Sequence, residues 1–237
     1  PLPNLRVLAR LWTLPYGYMV TKNSGLETLE QLKGKKVVVD IRGNIALNAT
    51  NIALLGAGGV TVGDVTPVAI ASLPQGVAAV QNGSADATSV GIPIAVVQQA
   101  NATIPGGIKF LSVTGPNATQ AFLDSVAPGL SMITLPAGSM AGVDTDITTM
   151  GLECVIYAST SLSDEDAAKI LGAIEKAWPE LQAQFGFFRS KKPENFVHAA
   201  SMAQPYHSGA VAYYKSKGYW NDAADAKQDA LIARAGQ

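Results

Sequence analysis

The chain is poor in charge. Of its 237 residues only 15% are Asp, Glu, Lys or Arg, and the net charge is -1. That balance leaves no electrostatic footprint for nucleic acid, and no run of Lys or Arg restores the idea. Cysteine is almost absent. Cys154 stands alone, which excludes an internal disulfide framework and says little about compartment. It lies in the apolar run 151–157, where a small buried hydrophobe is expected ahead of a reactive thiol. The two histidines, His198 and His207, have no carboxylates at ligand spacing, so neither a metal site nor a cofactor is expected. Asp144 and Asp146 read as a solvated turn rather than a cation loop. Long apolar runs are missing as well. Mean hydropathy is +0.19, yet the longest candidates, such as residues 92–97, have only the length of buried core segments. No membrane insertion is expected. No signal peptide is visible, because Pro1, Leu2 and Pro3 lead directly into a strand-like segment, as a secreted chain does after processing.

What is present is an alternation of strand and helix signals. Residues 5–11 and 16–21 read as two extended stretches broken at Pro15, and 26–33 as a short helix. Residues 37–41 form a continuous run, largely β-branched, of the kind buried on both faces of a parallel sheet. Gly43 and Asn44 follow, then a helix from about Ile45 to Leu55 that stops on Gly56, Gly58 and Gly59. A second strand–helix unit begins at Thr66. Ser72 and Gln75 have capping-box spacing, with Pro74 in the first turn and Asn82-Gly83 at the end. Strands are expected over 85–90, 108–113 and 151–158, with a helix between the first two that ends near Ala100. A long helix opens at Ser163, with Asp164, Glu165 and Asp166 in its first turn, Ile170, Leu171, Ile174, Trp178 and Leu181 on one face, and a break or kink at Pro179. An alanine-rich helix closes the chain over 223–235. The pattern is α/β, with helices covering both faces of the sheet.

Four segments resemble one family in order. Residues 24–38 are similar to "S-G-I-x-x-L-x-D-L-K-G-K-x-V", residues 82–93 to "D-G-x-I-D-A…G-x-P", and residues 135–138 to "I-P-A-G". The last, from Gln204 through His207, Gly209 and Ala210 to Tyr213, Tyr214 and Gly218, resembles "P-x-H-P-G-A-x-x-Y-Y…G", with Ser208 in place of the proline. These are marks of the TAXI-type solute receptors of TRAP transporters, within the type 2 periplasmic-binding proteins. The resemblance implies an α/β, two-lobed type 2 periplasmic-binding fold, each lobe a mixed sheet flanked by helices. It implies 1–28 as the first part of lobe 1 with a crossover, 29–148 as lobe 2, and 149–237 as the return and remainder of lobe 1, with the ligand between the lobes. It also implies an opening strand–helix–strand of lobe 1 that the sequence does not contain, so a processed or partial chain is expected ahead of a reduced homologue. The implied function is a periplasmic, secreted solute receptor delivering a small organic anion, an amino acid or a di- or keto-carboxylate, to the membrane permease subunits of a TRAP transporter. A ligand-binding sensory module and an enzyme on the same fold are the alternatives. An enzyme needs a nucleophile–base or carboxylate pair, which Asp40, Asp86, Glu153 and two distant histidines do not supply.

The turn at residues 40–46 aligns with the family's "G-x-P-G-S-G-T", in which hydroxyls and free N–H groups at a helix start hold an anion. Gly43 is kept, while Arg42, Asn44 and Ala46 replace the proline and hydroxyl positions, and Ile45 lies among them. Asn44 can cap the helix or offer its amide to a ligand. Arg42 can pair with a carboxylate or be a solvated surface residue. Ser89, Val90 and Gly91 stand at a strand end, where ligands of open α/β sheets bind. Trp12 and Tyr16 near the first crossover can stack on a ligand or fill an apolar role under the hinge. His207 is read as structural, ordering the C-terminal segment.

Overall fold

A computed structural model describes residues 2–185 and 188–235. The chain divides into two compact units, a central unit of Leu14–Leu152 and a terminal unit of Pro1–Thr13 with Glu153–Gln237. It passes between them twice, inside strand β1 (Leu5–Thr21) and inside strand β7 (Ile147–Ser159).

In the central unit the β-branched run becomes β2 (Lys36–Ile41), paired in parallel with β3 (Thr66–Ile70) from Lys36↔Thr66 to Ile41↔Ile70, with an irregularity between Val38 and Asp40. Val37, Val38 and Val39 are all buried, as expected for a strand covered on both faces. Helices α1 (Ile45–Ala57), α2 (Leu73–Gln81), α3 (Ala95–Thr103) and α4 (Gln120–Val126) accompany β4 (Thr88–Gly91), β5 (Ile108–Phe110) and β6 (Leu130–Leu135). β4 and β5 both pair antiparallel with the second half of β1, and β6 pairs antiparallel with the first half of β7. The core is mostly aliphatic: Leu29, Leu32, Leu54, Leu55, Ile92 and Ile108 are fully buried. Each such side chain contributes about 1.5–3 kcal/mol relative to exposure.

The terminal unit holds the outer halves of β1 and β7 with α5 (Asp164–Gln184), α6 (Ser208–Lys217) and α7 (Asp222–Ala235). Its core is aromatic: Trp178, Phe196, Tyr206, Tyr214 and Trp220 pack with Val7, Leu8, Leu171 and Leu231. The C-terminal motif has a structural meaning here. His207 is buried and caps α6, its Nδ1 accepting from Gly209 N at 3.2 Å while its Nε2 lies 3.0 Å from the Leu162 carbonyl oxygen. A ring nitrogen that accepts an N–H fixes the tautomer, leaving Nε2 as the donor. A Cβ on Gly209 would lie 2.5 Å from the backbone oxygen of Asp164, so only glycine lets α6 approach the start of α5 this closely.

Several local expectations change. Pro15 does not break the first strand; β1 runs unbroken for 17 residues, and the Pro15 carbonyl accepts from Ile92 N at 2.9 Å. Residues 26–33 hold only a single 3-10 turn, Leu29–Leu32, closed by a Thr28–Gln31 capping box. Ser72 does not cap α2; Gln75 reaches back to Ala71 N at 2.9 Å instead. Pro179 lies inside an uninterrupted α5, and Ile170 is 39% exposed rather than on its buried face. Ser163 does cap α5, its Oγ accepting from Asp166 N at 3.0 Å. Cys154 is half-buried, and burial raises its thiol above the ordinary value.

Candidate functional site

The turn joining β2 to α1 is built by short-range hydrogen bonds. Arg42 N donates to Ile70 O at 2.8 Å, ending the parallel ladder, and Gly43 turns the chain at φ +77°, a region closed to most side chains. Asn44 N donates to Ile41 O at 2.9 Å, and Asn44 Oδ1 accepts from Leu47 N at 3.0 Å. Asn44 is therefore the N-cap of α1. Asn48 clamps the same corner: its Oδ1 accepts from Ile41 N at 2.7 Å and its Nδ2 donates to Asp40 Oδ1 at 2.9 Å. With the Leu47 N–H taken by the cap, the N–H groups of Ile45 and Ala46 open the helix.

The structure brings Arg42, Gly43, Asn44, Ile45 and Ala46 together on this one corner. Arg42, Gly43, Ile45 and Ala46 are exposed, and Asn44 is half-buried. Ile45 is 86% exposed, and Ile52, two turns on, 57%. Together with exposed Ala46 and Ala49 they give the start of α1 an apolar outward face beside a guanidinium. A helix amino end and an arginine on one corner are chemically suited to an anion.

Tyr16, Ser89, Val90 and Gly91 form a second set, inside the unit. All four are buried, and Gly91, Val90 and Ser89 pair with Tyr16, Gly17 and Tyr18 across the β1–β4 ladder. Tyr16 Oη donates to Asn51 Oδ1 at 3.0 Å and is hydrogen-bonded to Ser89 Oγ at 3.0 Å. Asn51 Nδ2 donates to Val39 O at 3.3 Å, and Thr149 Oγ1 donates to Tyr16 O at 2.6 Å. Burial pushes the Tyr16 phenol up to about 12, with the Ser89 hydrogen bond opposing. The buried network therefore ties α1, which carries the exposed corner, to β1, β2 and β4. Asn51 and Thr149 were not expected from sequence. An asparagine inside an apolar helix face was the available signal for Asn51, since a buried amide needs partners.

Trp12 belongs to the terminal unit, where its ring meets Phe188 edge-on at 5.0 Å. Two clefts of the central unit are lined by other residues. One of about 440 Å³ lies by Lys35, Asn82 and Asp86, and one of about 270 Å³ lies between the Lys22–Asp144 and Lys109–Glu27 ion pairs. Among the described residues no group of three His, Cys, Asp or Glu could hold a metal ion, and no helix is long and apolar enough to cross a membrane.

The profile of the NMT1-like family matches residues 1–218, and the chain belongs to that family. No curated protein matches the sequence. Among solved structures, the periplasmic aliphatic sulphonate binding protein SsuA of Escherichia coli is similar over 98% of this chain and 55% of its own, at 19% identity and TM-score 0.38. This chain thus spans about half the length of that protein. The alkanesulfonate-binding protein SsuA of Xanthomonas axonopodis pv. citri, bound to MOPS, shares 15% identity over 98% of this chain and 73% of its own, with TM-score 0.45. A putative sulfonate-binding SsuA of Methylobacillus flagellatus shares 18% identity over 98% and 69% of the two chains, with TM-score 0.46.

Proposed function

We propose that this protein is an extracytoplasmic solute receptor without catalytic activity, and that its two units serve as the receptor's lobes. It binds a small organic anion at the β2–α1 corner through Arg42, Gly43, Asn44, Ile45 and Ala46, over the buried support of Tyr16, Ser89, Val90 and Gly91. It then delivers the anion to a membrane permease. The permease is of TRAP type on the strength of the C-terminal motif that runs through His207 and Gly209. The observation that carries the reading is the corner itself: an exposed amino helix end, capped by Asn44 and flanked by exposed Arg42. Anions are stabilised at such an end by the helix dipole and unpaired N–H groups, and each charge-assisted hydrogen bond is worth roughly 1.5–3 kcal/mol.

Native mass spectrometry of freshly purified protein, followed by a thermal-shift panel of amino acids, dicarboxylates, keto acids and sulfonates, tests it. A retained or stabilising acid is expected, with Arg42→Ala weakening it about tenfold or more, because loss of one such hydrogen bond exceeds 1.4 kcal/mol. A panel without any shift, or an acid that binds Arg42→Ala equally well, defeats the assignment.

A further inference from the structure

The terminal unit contains a pocket of about 220 Å³ between β1 and the segment 190–198, its lining including Arg10, Trp12, Ser190, Lys191, Lys192, Asn195 and His198. We propose that it is a second binding site, for a small tetrahedral oxyanion of the phosphate–sulfate class. The inference stands on residues of one unit alone and does not depend on the receptor reading.

Charge is the first ground. In a chain with 17 Lys and Arg among 237 residues, Arg189, Lys191 and Lys192 fall within four positions. The fold then brings Arg10 from the other end of the sequence to the same pocket. Among its described lining residues there is no carboxylate. Two carboxylates are close to lining residues without lining the pocket themselves: Glu153 accepts from Arg10 Nε at 2.5 Å, and the exposed Glu194 lies in the chain between Lys192 and Asn195.

Preorganisation is the second. Glu153 also accepts from Thr13 Oγ1 at 3.0 Å, and Arg10 Nη2 donates to the same hydroxyl, so the guanidinium is held from two sides. Arg10 Nη1 reaches Asn195 O at 3.4 Å. These bonds use three of the five guanidinium N–H groups, which leaves two for a ligand among the described contacts. The basic segment is fixed as firmly. Trp178 Nε1 and Gln182 Nε2 donate to Lys191 O at 2.9 and 2.7 Å, and Arg10 N donates to Phe196 O at 3.0 Å. Trp12, braced edge-on by Phe188, forms one wall.

Donor variety decides the ligand class. Arg10, Ser190, Lys191, Lys192, Asn195 and His198 line one compact volume and bring guanidinium, hydroxyl, ammonium, amide and imidazole chemistry to it, while the Thr13 hydroxyl already donates its hydrogen bond to Glu153. A carboxylate offers two oxygens on one side, whereas phosphate or sulfate offers four in all directions and can satisfy donors from every wall. The volume is below the roughly 300–1,000 Å³ of pockets for drug-sized ligands and several times the ~30 Å³ share of one water, which suits a small anion with part of its hydration.

Isothermal titration of the full chain with sodium phosphate and with sodium sulfate, at constant ionic strength set by chloride, tests the site. One saturable binding event is expected with at least one of the two anions. The Trp12 indole N–H resonance should shift over the same concentration range. The double variant Lys191→Ala/Lys192→Ala should bind about tenfold or more weakly, while Lys169→Ala, an exposed lysine on α5 that pairs with Glu165 outside the pocket, should bind unchanged. The two lysine side chains lie outside the apolar core, so the double variant is expected to keep its melting temperature; if it does not, the Trp12 resonance of the unaltered chain still decides. Absence of saturable heat with both anions, a Trp12 resonance that does not move, unchanged affinity in a folded double variant, or an equal loss in Lys169→Ala would each overturn the proposal. Failure of the receptor reading would appear separately, in the organic-acid panel.

Discussion

The two units solve the problem of a filled interior differently. In the central unit aliphatic side chains on strands and short helices make the core, and part of its buried polar set bonds side chain to side chain, as Tyr16, Asn51 and Ser89 do, alongside main-chain bonds from Tyr18 and Thr149. In the terminal unit large rings make the core, and their polar tips are spent on the main chain. Tyr206 Oη donates to Phe196 O at 2.7 Å, Tyr214 Oη to Leu8 O at 2.8 Å, and Trp178 Nε1 to Lys191 O at 2.9 Å. Phe196 and Lys191 belong to a segment with little regular structure, whose carbonyls have few ladder partners. Aromatic residues supply both apolar area and the missing donors there. A regular sheet needs shape from its core; an irregular segment needs anchors as well.

The sharpest way to break that contrast is at Gly209. A methyl group there meets the backbone of Asp164, which cannot move aside as a side chain can. Gly209→Ala should cost about 3 kcal/mol, with amide hydrogen exchange accelerated in α5 and α6 and little changed in the parallel β2–β3 pair. Exchange accelerated equally in both units would show that they do not respond separately.

Next in size is Tyr16→Phe, which leaves Asn51 and Ser89 buried without their shared partner. We expect a loss of about 1–3 kcal/mol in chemical denaturation. Tyr214→Phe, which orphans a single carbonyl, should cost less.

A smaller effect separates the units by pH. Tyr213 Oη donates to Glu175, and the carboxylate is held below its ordinary value of 4.5, first by that bond and then by Lys217 and Tyr219. A depressed folded-state pKa gives stability that is present above the unfolded value and lost as pH falls through the folded one. Melting temperature should therefore fall below about pH 4.5, and Glu175→Gln should flatten that acid limb. Protection of β2 and β3 should be insensitive to this substitution.

The smallest expected change is a gain. Thr88 Oγ1 is buried in the central unit without a hydrogen-bond partner, against α2 where Gly76 leaves it room. Thr88→Val removes an unpaired hydroxyl at nearly constant volume and should raise stability by up to about 1 kcal/mol. A loss of that size in urea denaturation would mean that the hydroxyl has a partner after all.

How much of this was readable beforehand depends on range. The β2–α1 corner was legible because its signals are local: a β-branched run, then Gly43 and Asn44, then helical periodicity. Ser163 was legible as a cap for the same reason. The strand through Pro15 was not. A proline reads as a break, yet in β1 only its missing N–H matters, and its carbonyl still serves Ile92. Helix α4 and strand β6 escaped notice, since residues 120–135 mix polar and apolar positions without a clear period. The Tyr16–Asn51–Ser89 network could not be read at all, because it depends on the register Tyr16↔Gly91 between strands more than 70 positions apart.

The placement of indoles has a practical consequence. Trp12, Trp178 and Trp220 all belong to the terminal unit, and the central unit has none. Intrinsic tryptophan emission is therefore a natural one-sided optical reporter: red shift and quenching on denaturation follow the aromatic half alone. A single tryptophan introduced at the β2–α1 corner in a variant lacking the three native ones would give the other half its own spectroscopic channel.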